Sequence, residues 1–207
     1  MTAPPHSLRG ELERAIDELP DDQVSVGGLI DRFGAKGMLL LVILLTLVFL
    51  IPVSVPGVST VFGAAILMVG FSRLLGRPPW LPRRLRDRPI RTASLRPALS
   101  RGLVWVRRLE KISRPGRVAW LSEGRVAECF NDLALVLGAV LLMAPFGFIP
   151  FSNTLPGLAL LLLATGSLQR DGLAILLGHL ANLATLAYFA VLIGGGGLAA
   201  RELLQRF

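Results

Sequence analysis

Apolar and polar positions along the chain fall into long blocks, not a fine alternation. Residues 7–19 (SLRGELERAIDEL) space Leu8, Leu12, Ile16 and Leu19 three or four apart, the stripe of a short amphipathic helix with Ser7 as N-cap. Pro20 and the Asp21-Asp22 pair end it. Ser25 opens a second short helix, SVGGLIDRFGAKG, with Leu29, Ile30 and Phe33 on one face. An uncharged run from Met38 to Val53 follows. Its sixteen residues would cover about 24 Å as a helix, short of a ~30 Å hydrocarbon core. The run breaks at Ile51-Pro52. After Pro56-Gly57 the apolar pattern resumes from Val58 to Leu75, holding Ser59, Thr60, Gly63, Gly70 and Ser72, and Arg73 and Arg77 mark its far end.

The next block reverses the polarity. Pro78, Pro79, Pro82 and Pro89 break its first part. Residues 98–112 can be helical, with Leu99, Leu103, Val106 and Leu109/Ile112 on one side and Arg101, Arg107, Arg108 and Lys111 around the other. Trp80, Trp105 and Trp120 suit a headgroup interface. A second apolar half begins near Val126 and runs to Phe148-Ile149-Pro150. Leu155–Leu168 is apolar again, Gln169-Arg170-Asp171-Gly172 interrupts, and Leu173–Ile193 is long enough to span before Gly194–Gly197. Five segments result: cytoplasmic amphipathic helices (1–36), a first membrane hairpin (37–76), a basic interfacial segment (77–125), a second membrane half with hairpin and last helix (126–199) and a charged tail (200–207).

Composition turns this pattern into a class. Of 207 residues, 53% are apolar and only 17% charged, with a mean hydropathy of +0.62. Soluble domains carry about a quarter charged residues, so the chain reads as a membrane protein. The net charge of +8 is concentrated. Residues 1–36 hold four Lys/Arg against seven Asp/Glu, whereas residues 73–117 hold fourteen against two, Asp87 and Glu110. The positive-inside rule places that block, and with it the N-terminus, in the cytoplasm. The last helix then crosses alone and leaves the C-terminus outside. The polar, acidic start predicts no cleaved signal. Two histidines and the single Cys129 exclude a three-His zinc site and an intrachain disulfide. No nucleotide-binding loop, HExxH or GxSxG motif occurs. The expectation is therefore a non-enzyme without cofactor or metal. The basic block lacks nucleic-acid-binding signatures, and anionic lipid is its expected partner.

Two corners repeat. Leu50-Ile51-Pro52-Val53-Ser54-Val55-Pro56-Gly57 matches Phe148-Ile149-Pro150-Phe151-Ser152-Asn153-Thr154-Leu155-Pro156-Gly157, both reading I-P-x-S and then P-G. Each follows one apolar helix and precedes another, the mark of an internal duplication. Proline inside an apolar segment frees backbone groups that lipid cannot satisfy. Either the corners are tight turns at the outer surface, or they are tips of re-entrant hairpins meeting near the bilayer centre. Discontinuous helices at matching places in two halves point to transporter binding sites. The fold expected is all-α and polytopic: two related halves, each with a Pro-broken hairpin, plus a last spanning helix.

Several stretches carry a family resemblance. VSVGGLIDRFG from Val24, IPVSVPGVSTVFG ending at Gly63, GRPPWLP ending at Pro82 and PFSNTLPGLALLLLATGSLQRDG from Pro150 to Gly172 resemble the ExoD exopolysaccharide-synthesis family of bacterial inner-membrane proteins. The likeness covers about residues 23–195. It implies a multi-pass inner-membrane protein linked to exopolysaccharide production and, in some members, to alkaline-pH tolerance. It implies no catalytic residues.

Polar groups within the apolar segments are the candidate chemistry. If the corners are re-entrant, Ser54, Pro56, Gly57, Ser59, Thr60, Ser152, Asn153, Thr154, Pro156 and Gly157 could hold an anionic group such as the phosphate of a lipid-linked sugar. If they are surface turns, the same residues cap helices. Asp132 lies one to two turns inside its helix, where it is an interface carboxylate near Arg125 and Arg170, an ion- or proton-binding acid, or half of a structural ion pair. Glu128 lies one turn before it. His179, Asn182, Thr185 and Tyr188 follow at intervals of three, one drifting face. They either hydrogen-bond between helices or line a polar path in which His179 titrates near neutral pH. Arg170-Asp171 is a cap or a gate. Two functions follow: a transporter-like or lipid-linked-sugar-handling protein with cation or proton coupling, or a scaffold assembling a polysaccharide-synthesis complex. Small residues such as Gly63 and Gly70 suit homo-oligomerisation.

Overall fold

A computed structural model describes residues 19–20, 22–47, 49, 57–77, 87, 89–93, 116–146 and 149–205. The amphipathic segment 7–18, corner residues 50–56 and basic residues 94–115 lie outside them. The described chain is helical apart from one small ribbon, in keeping with the all-α expectation. Strand β1 (Gln23–Ser25) pairs antiparallel with β2 (Pro89–Arg91), Val24 opposite Ile90. Helix α1 (Val26–Leu47) follows β1 directly, and the Ser25 hydroxyl accepts the Gly28 N–H at 3.0 Å as the expected N-cap. Gly34 bends α1 with φ 52° and ψ −144°, a conformation that a Cβ forbids. The bend separates the amphipathic start from the apolar run.

Helix α2 (Val58–Leu74) ends in a Schellman turn: Gly76 N–H donates to Arg73 O and Arg77 N–H to Ser72 O, with Gly76 at φ 62°. After residues 116–118 come the single turn α3 (Ala119–Ser122) and α4 (Arg125–Leu142). The second corner then leads into α5 (Thr154–Gln169). Arg170, left-handed at φ 54°, closes α5, and α6 (Gly172–Gln205) begins at once. Gly172 fits there because the carbonyls of Arg117 and Val118 occupy the space a Cβ would need, and its N–H donates to Arg117 O at 2.8 Å.

The helix pairing fixes the architecture. α1 packs along α5, α2 along α4, and α5 along α6. Gly63 of α2 meets Met143, Gly70 meets Val136 and Arg73 meets Asp132, so α2 and α4 run antiparallel. The small size of Gly63 and Gly70 thus serves close packing inside one chain. Gly157 at the start of α5 lies against Phe49 and Thr46, beyond and at the end of α1. Phe49 also meets Phe62 of α2 edge-on at 5.9 Å. Phe49, before the first corner, and Gly157, after the second, therefore lie together at one end of the bundle. The ribbon, Arg73, Arg117, Arg125 and Arg170 sit at the other.

The core is apolar and fully buried: Val42 and Ile43 of α1, Ile66 and Val69 of α2, Leu135 and Leu142 of α4, Leu160 and Leu163 of α5, and Ile175 of α6. The outside is apolar as well. Val61, Phe71 and Leu75 of α2, Val126, Phe130 and Val140 of α4, and Leu180, Leu183 and Val191 of α6 are all exposed. Water-soluble monomers rarely carry contiguous apolar faces on this scale. Among the described residues one helix, Gly172–Gly195, is long and apolar enough to cross a membrane. α6 differs from expectation at its end, continuing through Gly194–Gly197 to Gln205. Glycine costs a helix about 1 kcal/mol per residue but does not remove a hydrogen-bond donor as proline does, and Ala199 to Gln205 favour helix.

Candidate functional site

The polar groups of the apolar segments gather at the charged end of the bundle and along the α4–α6 seam. Asp132 Oδ1 accepts from Arg73 Nε at 2.7 Å, and both side chains are largely buried. The pair ties the last turn of α2 to the second turn of α4. Neither Arg125 nor Arg170 is its partner; both are exposed. Glu128, one turn earlier, is also exposed.

One residue along, Asn131 links three elements. Its Nδ2 donates to the Leu121 carbonyl of α3 at 2.8 Å, and its Oδ1 lies 3.0 Å from His179 Nε2 of α6. A carbonyl can only accept, so Leu121 O fixes the amide orientation. His179 Nε2 must then carry the proton, and a neutral ring keeps its acceptor lone pair on Nδ1. The imidazole packs against Phe130 with ring centres 5.3 Å apart. The next two rungs of the α6 face are Asn182, whose Nδ2 donates to Ala134 O at 2.9 Å, and Thr185, which donates back to Ala181 O at 2.8 Å. Tyr188 Oη donates to Pro150 O at 2.7 Å and fastens α6 to the second corner. Three of the four polar residues at intervals of three therefore bond across elements. Asn182 Oδ1 is buried without a hydrogen-bond partner.

Arg170 and Asp171 form the α5–α6 joint. Asp171 is 2% exposed, and its Oδ1 accepts the Leu173 N–H at 3.1 Å as the N-cap of α6.

At the second corner Ser152 is buried and its Oγ contacts the carbonyls of Phe146 at 2.7 Å and Ile149 at 2.8 Å. Its single proton is thus committed to the corner backbone, and Phe151 stands at φ 63° beside it. Asn153 occupies the N-cap position of α5 and Thr154 its first residue, both half-buried, while Pro156 and Gly157 are buried. At the first corner Gly57 (φ 86°) and Thr60 are exposed and Ser59 is buried. Ser54 and Pro56 lie outside the described residues. The corner set is therefore at the opposite end of the bundle from the Asp132–Arg73 pair and the Arg170-Asp171 joint, and His179 and Asn182 stand between them, Asn182 about 9 Å along α6 from Tyr188, which bonds the second corner. Sequence reasoning missed Arg73 as the partner of Asp132. The available signal was that each is a lone charge close inside an apolar helix. Among the described residues no three His, Cys, Asp or Glu side chains come together as a metal site.

This geometry defines, among the described residues, an α-helical bundle whose outer face is apolar, whose charges lie at the Arg73–Arg170 end and at the far end of α6, and whose polar side chains stitch helices together. The family model described as "Exopolysaccharide synthesis, ExoD" matches residues 8–191, reaching back into the amphipathic N-terminal segment. Protein ExoD of Rhizobium meliloti (strain 1021) is 47% identical over 201 residues, covering 97% of this chain and 83% of that protein. An uncharacterized protein of Synechocystis sp. is 30% identical over 156 residues, 75% of this chain and 68% of that protein. No solved structure matches. The chain belongs to the ExoD family, which is associated with exopolysaccharide synthesis.

Proposed function

We propose that this chain is a multi-pass, non-enzymatic protein of the bacterial inner membrane that handles a lipid-linked sugar during exopolysaccharide production, using two helical hairpins that enter the bilayer from the cytoplasmic side. The observation that carries this reading is the helix pairing. Exchanging the two halves of the sequence turns α1 into α4 and α2 into α5. The α1–α5 contact then becomes the α4–α2 contact, and both are principal packings of the bundle. The residues that flank the repeated corners, Phe49 and Gly157, meet at one end, which supports two parallel hairpins related by a two-fold axis along the bundle.

Lengths support the membrane placement. α2, α4 and α5 have 17, 18 and 16 residues, about 24–27 Å. From Gly172 to Tyr188, whose hydroxyl reaches Pro150, is about 24 Å along α6. With the charged end at one interface, the opposite ends of α2, α4 and α5 lie beyond the midplane of a ~30 Å core and stop short of its far surface. α6, with 34 residues, crosses completely. The basic end is cytoplasmic.

The test measures exopolysaccharide output of cells carrying His179→Ala or Asp132→Asn at matched membrane levels of protein. Sugar handling in the bundle predicts loss of output in both. A scaffold predicts the opposite pattern: these variants remain active, and charge reversal at Arg107, Arg108 and Lys111 abolishes output together with co-purification of a synthase. That second pattern overturns the proposal.

A further inference from the structure

Beside the α3–α4 junction a cavity of about 830 Å³ opens between α3, the first half of α4 and the first half of α6. Its volume falls within the ~300–1,000 Å³ range of pockets that enclose a ligand. We propose that this groove binds one long-chain lipid phosphate, with the chain lying along α4 and the phosphate at the rim beside Arg125. The inference rests on the membrane placement argued above and names the ligand class for it.

Three observations favour this occupant. First, the walls are apolar side chains that remain exposed: Trp120, Val126, Phe130, Leu133 and Leu183. From Arg125 to Leu137 the groove follows α4 for about 18 Å, slightly more than one leaflet of a ~30 Å hydrocarbon core. Secondly, the rim suits an anion. Arg125, Val126 and Ala127 line it and form the first turn of α4. The N-cap is Gly124, so no side chain caps that turn, and the positive end of the helix dipole faces the groove mouth. Glu123 brings an opposing charge to the same rim, and the exposed Glu128 a second to the same turn of α4, outside the groove lining. The attraction for phosphate therefore comes from Arg125 and the helix end acting together. Thirdly, the floor is built. The Leu121–Asn131–His179 chain of hydrogen bonds pins α3, α4 and α6, the three walls, to one another. Asn182, 2% exposed, also lines the groove, and its Nδ2 donates to Ala134 O of α4. Buried amides along an apolar groove are costly unless fixed in place, so the groove is held open by specific bonds.

Native mass spectrometry of the full-length purified protein tests this, with hexadecyl phosphate and hexadecylphosphocholine as probes. The expected result is one saturable hexadecyl phosphate per chain, held at least tenfold more tightly than the phosphocholine. Arg125→Gln should weaken it at least tenfold, and Ala127→Trp, which fills the groove, should abolish it. Val61→Trp, on the outer face of α2, should leave it unchanged. Equal, non-saturating uptake of both probes that survives Ala127→Trp would overturn the proposal, because that is ordinary surrounding lipid. A dimer mass that excludes both probes would overturn it in favour of a second copy of the chain. Should Ala127→Trp fail to fold, probe selectivity and Arg125→Gln decide. Binding is read without reference to polysaccharide. Saturable binding lost in Ala127→Trp, with undiminished output from cells carrying that variant, refutes the proposed function and leaves the groove. Lost output without selective binding refutes the groove alone.

Discussion

Arg73 and Asp132 show how a single pair can join two segments 59 residues apart in sequence. Each charge would be expensive in an apolar setting, and each neutralises the other through a 2.7 Å bond. Removing one partner leaves the other stranded, a loss of about 3–5 kcal/mol for a buried pair. Replacing both with apolar groups of similar volume is often neutral. Arg73→Met and Asp132→Leu singly should therefore each lower the thermal midpoint of the detergent-solubilised protein, and the double variant should recover most of the loss. A double-mutant cycle on those midpoints checks it, and additive losses would show that the pair carries no coupling. If the pair also has a functional role, the recovered double variant will be stable and inactive. Ser152 works on the same scale. Its hydroxyl meets two corner carbonyls, a role that the sequence pattern I-P-x-S could not distinguish from ligand binding. The residue type was legible, its commitment to the backbone was not.

Elements in this chain are set by breakers and caps more than by propensity. Gly34 is the clearest case. A polar, amphipathic start and an apolar run adjoin in sequence, and the chain bends between them at φ 52°. That backbone region is essentially closed to residues with a Cβ and costs about 1–3 kcal/mol when forced. No atom lies within 4 Å of where the Cβ would stand, so strain and not crowding is the cost. Gly34→Ala should lower stability by that amount, or straighten α1 and pull Val24 out of its pairing with Ile90. Hydrogen exchange at the β1 amides separates the two: protection is kept under strain and lost on straightening. Ser25, the Gly76 turn and Asp171 likewise bound their helices with local chemistry. Local chemistry is legible in sequence, and the starts of α1 and α6 were read from it. The ribbon of β1 and β2 was not, because its strands are three residues each and Val24 pairs with Ile90, 66 positions further along the chain. The far end of α6 was also misread, since four glycines weaken a helix without forbidding it.

On the scale of the molecule, the distribution of charge and the proposed membrane placement make a topological prediction. In right-side-out spheroplasts of a Cys129→Ser strain, a cysteine at position 201 should react with an impermeant maleimide, whereas one at position 123 should react only after the cells are opened. Labelling at 123 from outside would invert the orientation. Labelling at both sites from outside would rule out the crossing by α6.

The sequence by itself determined the helical class, the family, the apolar blocks, the corner repeat and the Ser25 cap. These depend on composition and on neighbours a few residues apart, which one chain displays directly. Only the tertiary structure decided that α1 runs along α5 and α2 along α4, that Asp132 takes Arg73 and not Arg125, and that Asn131 bridges Leu121 to His179. The physical reason is that apolar faces attract without direction. Near-uniform runs of Leu, Val and Ala leave many helix pairings open. The choice falls to a few close approaches and buried polar bonds between residues far apart in the chain, such as Gly70 on Val136 and Asn182 on Ala134.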